Sequence, residues 1–423
     1  MNRLGLFLII LISLAPAAAF AQELELSLDE AVAIALRDNR DVSLGAQEVK
    51  KAKYKISESR GALVPSLDLN MSEEVTQRIR PKAYKSTYIQ AELNWVVFDG
   101  FKNINNIKLN EYNKEVKDAL LDKAKLETAL NVKTAYSTLV LAKDFSVVNK
   151  RAMDNSAMHL AALEERFKSG QASFSDILEA KSAAAVTKKN HENSLNQAQG
   201  ALAILKNLLY LDEGIVLIPT SQFIFEPKEV AYDKALLLAL EKRPEIKQYE
   251  AQVKASTKAV SIAKAGYLPT ISGTWNSYSG DKFLTTTGGS IGKWNNYNVY
   301  GVSLSWPIFD GFATRARIEQ AVTDLKSAQL LKEKAAKDIA LELKDAYLAL
   351  KDAIAKLEAA EADVLLYNDN LSASKDKYGQ GILSTMDMDD AGLKYDIAAF
   401  NKEQALYDYI IARSQFDKAT GGA

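Results

Sequence analysis

Apolar and polar residues follow two patterns along this chain, one of period seven and one of period two. The first is clearest in the second half. Ile339, Leu343, Ala346, Leu350, Ala353 and Leu357 follow an alternating four-and-three spacing, which continues through Ala360, Val364, Tyr367, Leu371 and Ser374 to Tyr378. One seam position is mostly Leu and the other mostly Ala, so facing backbones can approach closely. A partial second stripe, Ala340, Tyr347 and Ile354, widens the apolar face. Neither Gly nor Pro interrupts Phe101 to Ser169 or Phe312 to Tyr378. As helices these runs would be about 100 Å long at 1.5 Å per residue, and long capless periodic segments indicate coiled coil. The stripes fit an isolated two- or four-helix bundle and a closed ring of helices equally well.

The second pattern is strict alternation. Leu67, Leu69 and Met71 alternate with Asp68, Asn70 and Ser72, and Ile89, Ala91, Leu93, Trp95 and Val97 alternate with Gln90, Glu92 and Asn94. Tyr300, Val302, Leu304 and Trp306 repeat the pattern with Gly301, Ser303 and Ser305 between them. Segments of about ten residues, apolar on one face and polar on the other, mark outer-membrane barrel strands. A soluble antiparallel sheet with one solvated face shows the same alternation. Trp95 and Trp306 sit near strand ends, where an aromatic belt would lie. Four strands cannot close a barrel, and lipid does not tolerate open edges. A barrel therefore requires several chains, and three would supply twelve strands.

The chain is also a tandem repeat. Ala35 to Val42 matches Ala239 to Ile246, and Pro65 matches Pro269, at a spacing of 204. Phe98-Asp99-Gly100 matches Phe309-Asp310-Gly311, Gly170 matches Gly381, and Asp176 matches Asp387, at a spacing of 211. Each half reads as helix, two strands, very long helix, tight turn, long helix. The first repeat spans 22–210, with a hairpin at about 65–98 and long helices at about 101–169 and 172–210. A linker follows at 211–229, with a strand-like stretch from Ile215 to Ile218 ended by Pro219. The second repeat spans 230–423, with a hairpin at about 268–308 and long helices at about 312–378 and 384–418. The polar, Gly-containing stretch from Ser279 to Lys293 reads as an extracellular loop. Gly288 to Lys293 lacks the spacing and the Ser/Thr of a phosphate-binding loop.

Ahead of the repeats, Asn2-Arg3, the apolar stretch Leu4 to Leu14 and Ala19-Phe20-Ala21 form a secretory signal over residues 1–21, with Gln22 as the new first residue. The exported chain has no other apolar run long enough for a transmembrane helix, so it would span a membrane with strands. The 423 residues include no Cys and two His, His159 and His191. Thiolate metal sites, disulfides and Cys nucleophiles are excluded, and no cofactor or metal site is expected. Both histidines read as surface helix residues. Net charge is −1, which excludes a globally basic nucleic-acid binder. No nucleophile–base pair or cofactor loop suggests an enzyme.

Together these features resemble the TolC-like outer membrane factor family over essentially the whole exported chain. The resemblance rests on the two-fold repeat and on the strand entries Leu63-Val64-Pro65 and Tyr267-Leu268-Pro269. The strand exits Val97-Phe98-Asp99-Gly100 and Ile308-Phe309-Asp310-Gly311 also carry it, as do the turns Arg166 to Gly170 and Lys377 to Gly381. It implies a mixed, mainly α fold: a homotrimer with a twelve-stranded transmembrane β-barrel, four strands per chain, continued by a twelve-helix coiled-coil tunnel through the periplasm. Such a trimer is a passive exit duct for efflux or type I secretion. Its implied partners are outer-membrane lipid, a periplasmic adaptor and an inner-membrane transporter.

The resemblance also places candidate residues. Asp387 and Asp390 share one helix face at i,i+3 and match the family's aspartate constriction. In a trimer they would form two rings of carboxylates that attract cations. By spacing alone the pair reads as an exposed helix start, where Asp suits the N-terminal dipole. Ser175 and Asp176 hold the equivalent place in the first repeat, and the family's Tyr at the position of Tyr378 helps hold the entrance shut. Leu383 replaces a family Arg, so a latch through that residue is absent; Lys375 and Lys377 lie near as possible substitutes. Gly170, Gln171, Gly381 and Ile382 match the tips that adaptors grip, and the glycines also suit left-handed helix ends. Two other readings stand beside the duct. An exported coiled-coil structural or adhesive protein leaves the duplicated hairpins unexplained. A periplasmic adaptor would carry one helical hairpin rather than two.

Overall fold

The computed structural model describes residues 23–76, 84–212, 214–221, 231–280 and 294–422. The signal segment, Gln22, most of the Ser279–Lys293 loop and part of the 211–229 linker lie outside the described residues.

The chain begins with β1 (Glu23–Leu26), α1 (Leu28–Asp38) and α2 (Arg40–Gly61). The hairpin β2 (Ser66–Thr76) and β3 (Tyr84–Phe98) leads into α3 (Lys102–Lys168) and α4 (Phe174–Leu209). After β4 (Val216–Pro219) the layout recurs as α5 (Tyr232–Lys242), α6 (Pro244–Lys264), β5 (Thr270–Gly280), β6 (Asn295–Ser305), α7 (Ala313–Gly379) and α8 (Thr385–Ala419). Sequence alone suggests one helix ahead of each hairpin; the structure has two. The break in the first repeat is Asn39, whose side chain accepts from the N–H groups of Asp41 and Val42. In the second it is Arg243-Pro244, where Pro lacks the N–H that a continuous helix would need.

Four strands form one antiparallel sheet in the order β2-β3-β5-β6. Leu67 pairs with Leu93, Leu93 with Trp275, and Trp275 with Tyr300, so these residues share a face. On that face Leu69, Met71, Tyr300 and Val302 are each at least 74% exposed. The opposite face is polar: the Gln90 amide donates to Asn276 at 2.9 Å, and the Asn94 amide donates to Glu92 at 2.9 Å. At the sheet base, the indoles of Trp95 and Trp306 donate to the carbonyls of Leu63 and Tyr267, both at 3.1 Å.

Each exit strand turns into its long helix through two left-handed residues, Gly100-Phe101 and Gly311-Phe312. A Phe in that conformation is strained. Here the Phe101 ring meets Phe98 edge-on and the Phe312 ring meets Phe309 likewise. Asp99 and Asp310 accept from the N–H groups of Asn103 and Thr314, fixing the helix starts.

The helices α3 and α7 have 67 residues each, about 100 Å of rise. Near the sheet, α6 packs between α3 and α7, with α2 on the other side of α3; towards the turns, α8 packs between α3 and α7, with α4 beyond α3. The α7 seam is buried from Ile339 to Leu357, against Ala405, Leu406, Tyr409, Ala412 and Phe416 of α8. From Ala360 to Ser374 its positions are only half-buried. A second core joins Val132, Tyr136 and Leu139 to Leu205, Leu209, Ala31 and Ala35. There β1 pairs in parallel with β4 over the fully buried Tyr136. The Tyr136 hydroxyl donates to the Leu26 carbonyl at 2.8 Å and accepts from the N–H groups of Thr220 and Ser221. Among the described residues no helix is long and apolar enough to cross a membrane.

Candidate functional site

The helical end opposite the sheet is built twice from one local plan. At the α3 end, Gly170 adopts φ +74°. Its N–H donates to the Phe167 carbonyl, and the Gln171 N–H donates to the Arg166 carbonyl. At the α7 end, Gly381 adopts φ +75°, with the N–H groups of Gly381 and Ile382 donating to the carbonyls of Tyr378 and Lys377. This paired pattern satisfies carbonyls that a helix end leaves open. Around the turns, Phe167, Phe174, Tyr378 and Ile382 are exposed, so both tips carry apolar surface.

Three residues past each Gly a Ser caps the next helix. The Ser173 hydroxyl accepts from the Asp176 N–H, and the Asp176 carboxylate accepts from the Ser173 N–H at 2.8 Å. Ser384 and Asp387 repeat this box. There the Ser384 hydroxyl also donates to the Asp387 carboxylate at 2.6 Å. The backbone and hydroxyl of Ser173 hold the Asp176 carboxyl below the usual carboxylate range. Ser175, Asp176, Asp387 and Asp390 are all exposed. Asp390 pairs with Lys394 at 2.8 Å on the same helix. Within one chain, then, Asp176 and Asp387 secure helix starts, and Asp390 has a cation four residues away.

The structure brings other residues to this end that sequence patterns do not reveal. A cleft between α3 and α8 is lined by Asn155, His159, Met386, Asp389, Asp390 and Leu393. His159 is half-buried there rather than a plain surface residue. Farther from the turns, Arg151 on α3 pairs with Asp396 on α8, and the rings of Phe145 and Phe400 lie 4.9 Å apart. Next comes Tyr407, almost wholly buried, whose hydroxyl donates to Asp144 at 3.4 Å. Burial pushes the Asp144 carboxyl up, and burial together with Asp144 pushes Glu403 up. These links cross more than 240 residues of chain, so no local spacing announces them. Among the described residues no cluster of His, Asp and Glu could hold a metal ion.

The family model for outer membrane efflux proteins matches residues 31–209 and 235–422, nearly all of both repeats. The chain belongs to the outer membrane efflux protein family. The chain is 23% identical to outer membrane protein TolC of Escherichia coli over 396 residues, 90% of this chain and 80% of that protein. It is 24% identical to outer membrane protein OprJ of Pseudomonas aeruginosa, over 83% of this chain and 74% of that one. The crystal structure of the CmeC outer membrane channel of Campylobacter jejuni has the same fold: TM-score 0.77, 19% identity, covering 93% of this chain and 85% of that one.

This efflux protein is thus an outer-membrane channel protein with a large helical extension. The apolar sheet face belongs to a TolC-like channel fold rather than to a soluble sheet. A non-pore coiled-coil role is not supported. The family is one of passive channels rather than of enzymes.

Proposed function

We propose that three copies of this efflux protein close a twelve-stranded barrel and a twelve-helix tunnel, which serves as the exit duct of a tripartite pump or type I secretion system. The observation that carries this reading is the sheet itself. Its outer face is apolar and exposed, and among the described residues the sheet ends at β2 on one side and at β6 on the other, with no further strand beside either. In lipid an open sheet edge is not tolerated, so the sheet has to continue into further strands. Cargo would be handed over by a periplasmic adaptor at the helix tips, driven by an inner-membrane transporter. The apolar rim at Phe167, Phe174 and Ile382, beside Gly170, Gln171 and Gly381, supports the tips as that docking surface. In the trimer Asp387 and Asp390 would line the constriction, with Ser175, Asp176 and Tyr378 linking neighbouring helices there. Native mass spectrometry of the detergent-extracted protein tests the assembly. A three-chain mass is expected, and a folded monomer would refute the reading.

A further inference from the structure

Where the helices meet the sheet, the two sides of the helical wall can be told apart. A cavity under the sheet base is lined by Asn103 of α3, Ile262 of α6 and Arg317 of α7, with Thr270 and Ser305 at the strand ends. Thr270 pairs with Ser305 and stands in step with Asn276, on the polar face of the sheet. The cavity therefore marks the side of the wall that continues the polar face. Lys108, Lys264 and Arg315 lie five, two and two residues along their helices from Asn103, Ile262 and Arg317. At 3.6 residues per turn they point roughly 140–160° away from the cavity, to the side that continues the apolar face. On α3 a second relationship agrees. Tyr136 follows Lys108 by four heptads, so the two share one stripe, and Tyr136 is the residue covered by β1 and β4.

These three cations sit just below the apolar strands. Lys264 is the last residue of α6, Arg315 stands in the first turn of α7, and Lys108 stands in the second turn of α3, about 10 Å along that helix. The indoles of Trp95 and Trp306 are fixed at the same sheet base. All three cations are exposed, and among the described residues none makes a hydrogen bond or an ion pair. The carboxylates at this level are committed elsewhere: Asp99 and Asp310 accept from N–H groups of their own helices, and Glu111 accepts from Arg60. Glu319, one turn after Arg315, does not pair with it. Farther from the sheet, Lys254 pairs with Glu115 and Lys332 with Glu250.

We propose that Lys108, Lys264 and Arg315 form a collar that binds the phosphate headgroups of anionic phospholipids. The apolar face above them takes the acyl chains. The headgroup layer begins where that face ends, and Trp residues mark such boundaries. Basic residues close to a membrane surface are drawn to anionic lipid, each by a modest amount. Their apolar stems let the charged ends reach up to the headgroups from a turn below. One cation from each of three neighbouring helices gives a broad surface rather than a closed pocket, so the collar selects headgroup charge and not headgroup shape. The proposal rests on the reading that the sheet spans lipid, and it adds which class of lipid is held at its lower rim.

The purified full-length protein tests this in bilayer discs of mixed phosphatidylethanolamine and phosphatidylglycerol. The discs are dissolved in mild detergent, and the lipids still bound are counted by native mass spectrometry. Phosphatidylglycerol should be enriched over its share of the disc by roughly fivefold or more. Lys108→Gln/Lys264→Gln/Arg315→Gln should remove the enrichment, and Lys108→Arg/Lys264→Arg should keep it. Lys188→Gln/Lys189→Gln/Lys351→Gln removes as much exposed charge far from the sheet base and should also keep it. In the wild type, salt at about 1 M should abolish the enrichment, because exposed charges are screened within about 3 Å there.

A wild type that binds both lipids in proportion to their supply overturns the collar, as does a collar variant that still enriches phosphatidylglycerol. Loss of enrichment in the distant variant as well would show that overall charge, not this surface, is responsible, and it too overturns the collar. In each of these results the protein still sits in the disc, so the membrane reading stands. A folded wild type that does not enter the discs overturns both.

Discussion

The carboxylate of Asp387 lies 2.6 Å from the Ser384 hydroxyl and also accepts from the Ser384 backbone, while the Asp387 N–H donates back to that hydroxyl. Asp387 therefore starts a helix, and in the proposed trimer it would also belong to a ring of carboxylates facing the duct. The two roles separate by substitution. Ser384→Ala removes the cap and keeps the charge, at a cost of about 1 kcal/mol in local helix stability. Amide exchange at the start of α8 should quicken in that variant while ion selectivity is retained. Asp387→Asn should lower cation selectivity. Loss of selectivity in Ser384→Ala as well would mean that helix order, rather than charge, sets it.

Arg243 marks the bend in the second repeat that Asn39 marks in the first. Asn39 reaches the Leu208 carbonyl near the end of α4, and Arg243 reaches the Lys418 carbonyl near the end of α8. Arg243 adds hydrogen bonds to both oxygens of Glu245 and to Glu342 at 2.7 Å. Burial opposes the charges, but these bonds outweigh it, keeping the Arg243 guanidinium charged and holding the Glu245 carboxyl below its ordinary value. Arg243→Met leaves the largely buried Glu245 with only the longer contact to Lys123, at 3.8 Å, and should cost about 3 kcal/mol, near the low end for a broken buried pair. The lowered carboxyl adds stability above its unfolded pKa, and this is lost as pH falls through the folded one. Denaturant unfolding of the wild type should show that acid-side loss, and Arg243→Met should show less of it.

Asp144 gives a pH dependence of opposite sign. Its carboxyl is raised by burial beneath Tyr407, against the smaller opposing effects of the Tyr407 hydroxyl and Lys143, and Glu403 faces it from α8. A raised carboxyl contributes fully below the unfolded value near 4, and that contribution is lost as pH rises through the folded value. Asp144→Asn should therefore unfold at a higher temperature than wild type at pH 7. The difference should close by about pH 4. A variant less stable than wild type at pH 7 would show that the Asp144 charge supports the α3–α8 contact.

Gly170 and Gly381 have open space where a Cβ would stand, so Ala at either position is penalised by backbone conformation alone. The left-handed region costs a non-Gly residue about 1–2 kcal/mol. Gly170→Ala and Gly381→Ala should fold, and exchange at the Gln171 and Ile382 amides should rise roughly tenfold or more. Unchanged exchange would mean that the turns accept the strain without opening.

Much of this architecture can be read from the chain itself. The Leu/Ala seam of α7, the alternating faces of the hairpins and the Gly at each turn are local patterns, and each is set by forces acting within a few residues. The Ser-x-x-Asp spacing at Ser173–Asp176 and Ser384–Asp387 is equally legible as a cap, although the same carboxylates also suit a pore. The contacts that join elements are not legible. Arg151 gives no sign of Asp396, and Glu23–Leu26 becomes a strand only because β4 lies beside it. Asn39 breaks a helix that periodicity would continue, because its side chain competes for backbone donors. The half-buried stretch of α7 beyond Leu357 follows the heptad spacing as well as the buried part does. What covers it depends on neighbours that spacing cannot specify.

The central claim is that this chain forms a passive duct whose entrance is lined by Asp387 and Asp390, and single-channel recording in planar bilayers tests it most directly. The purified protein should give discrete, small, cation-selective conductances, and Asp387→Asn/Asp390→Asn should weaken that selectivity. A folded trimer that opens no channels would contradict the account.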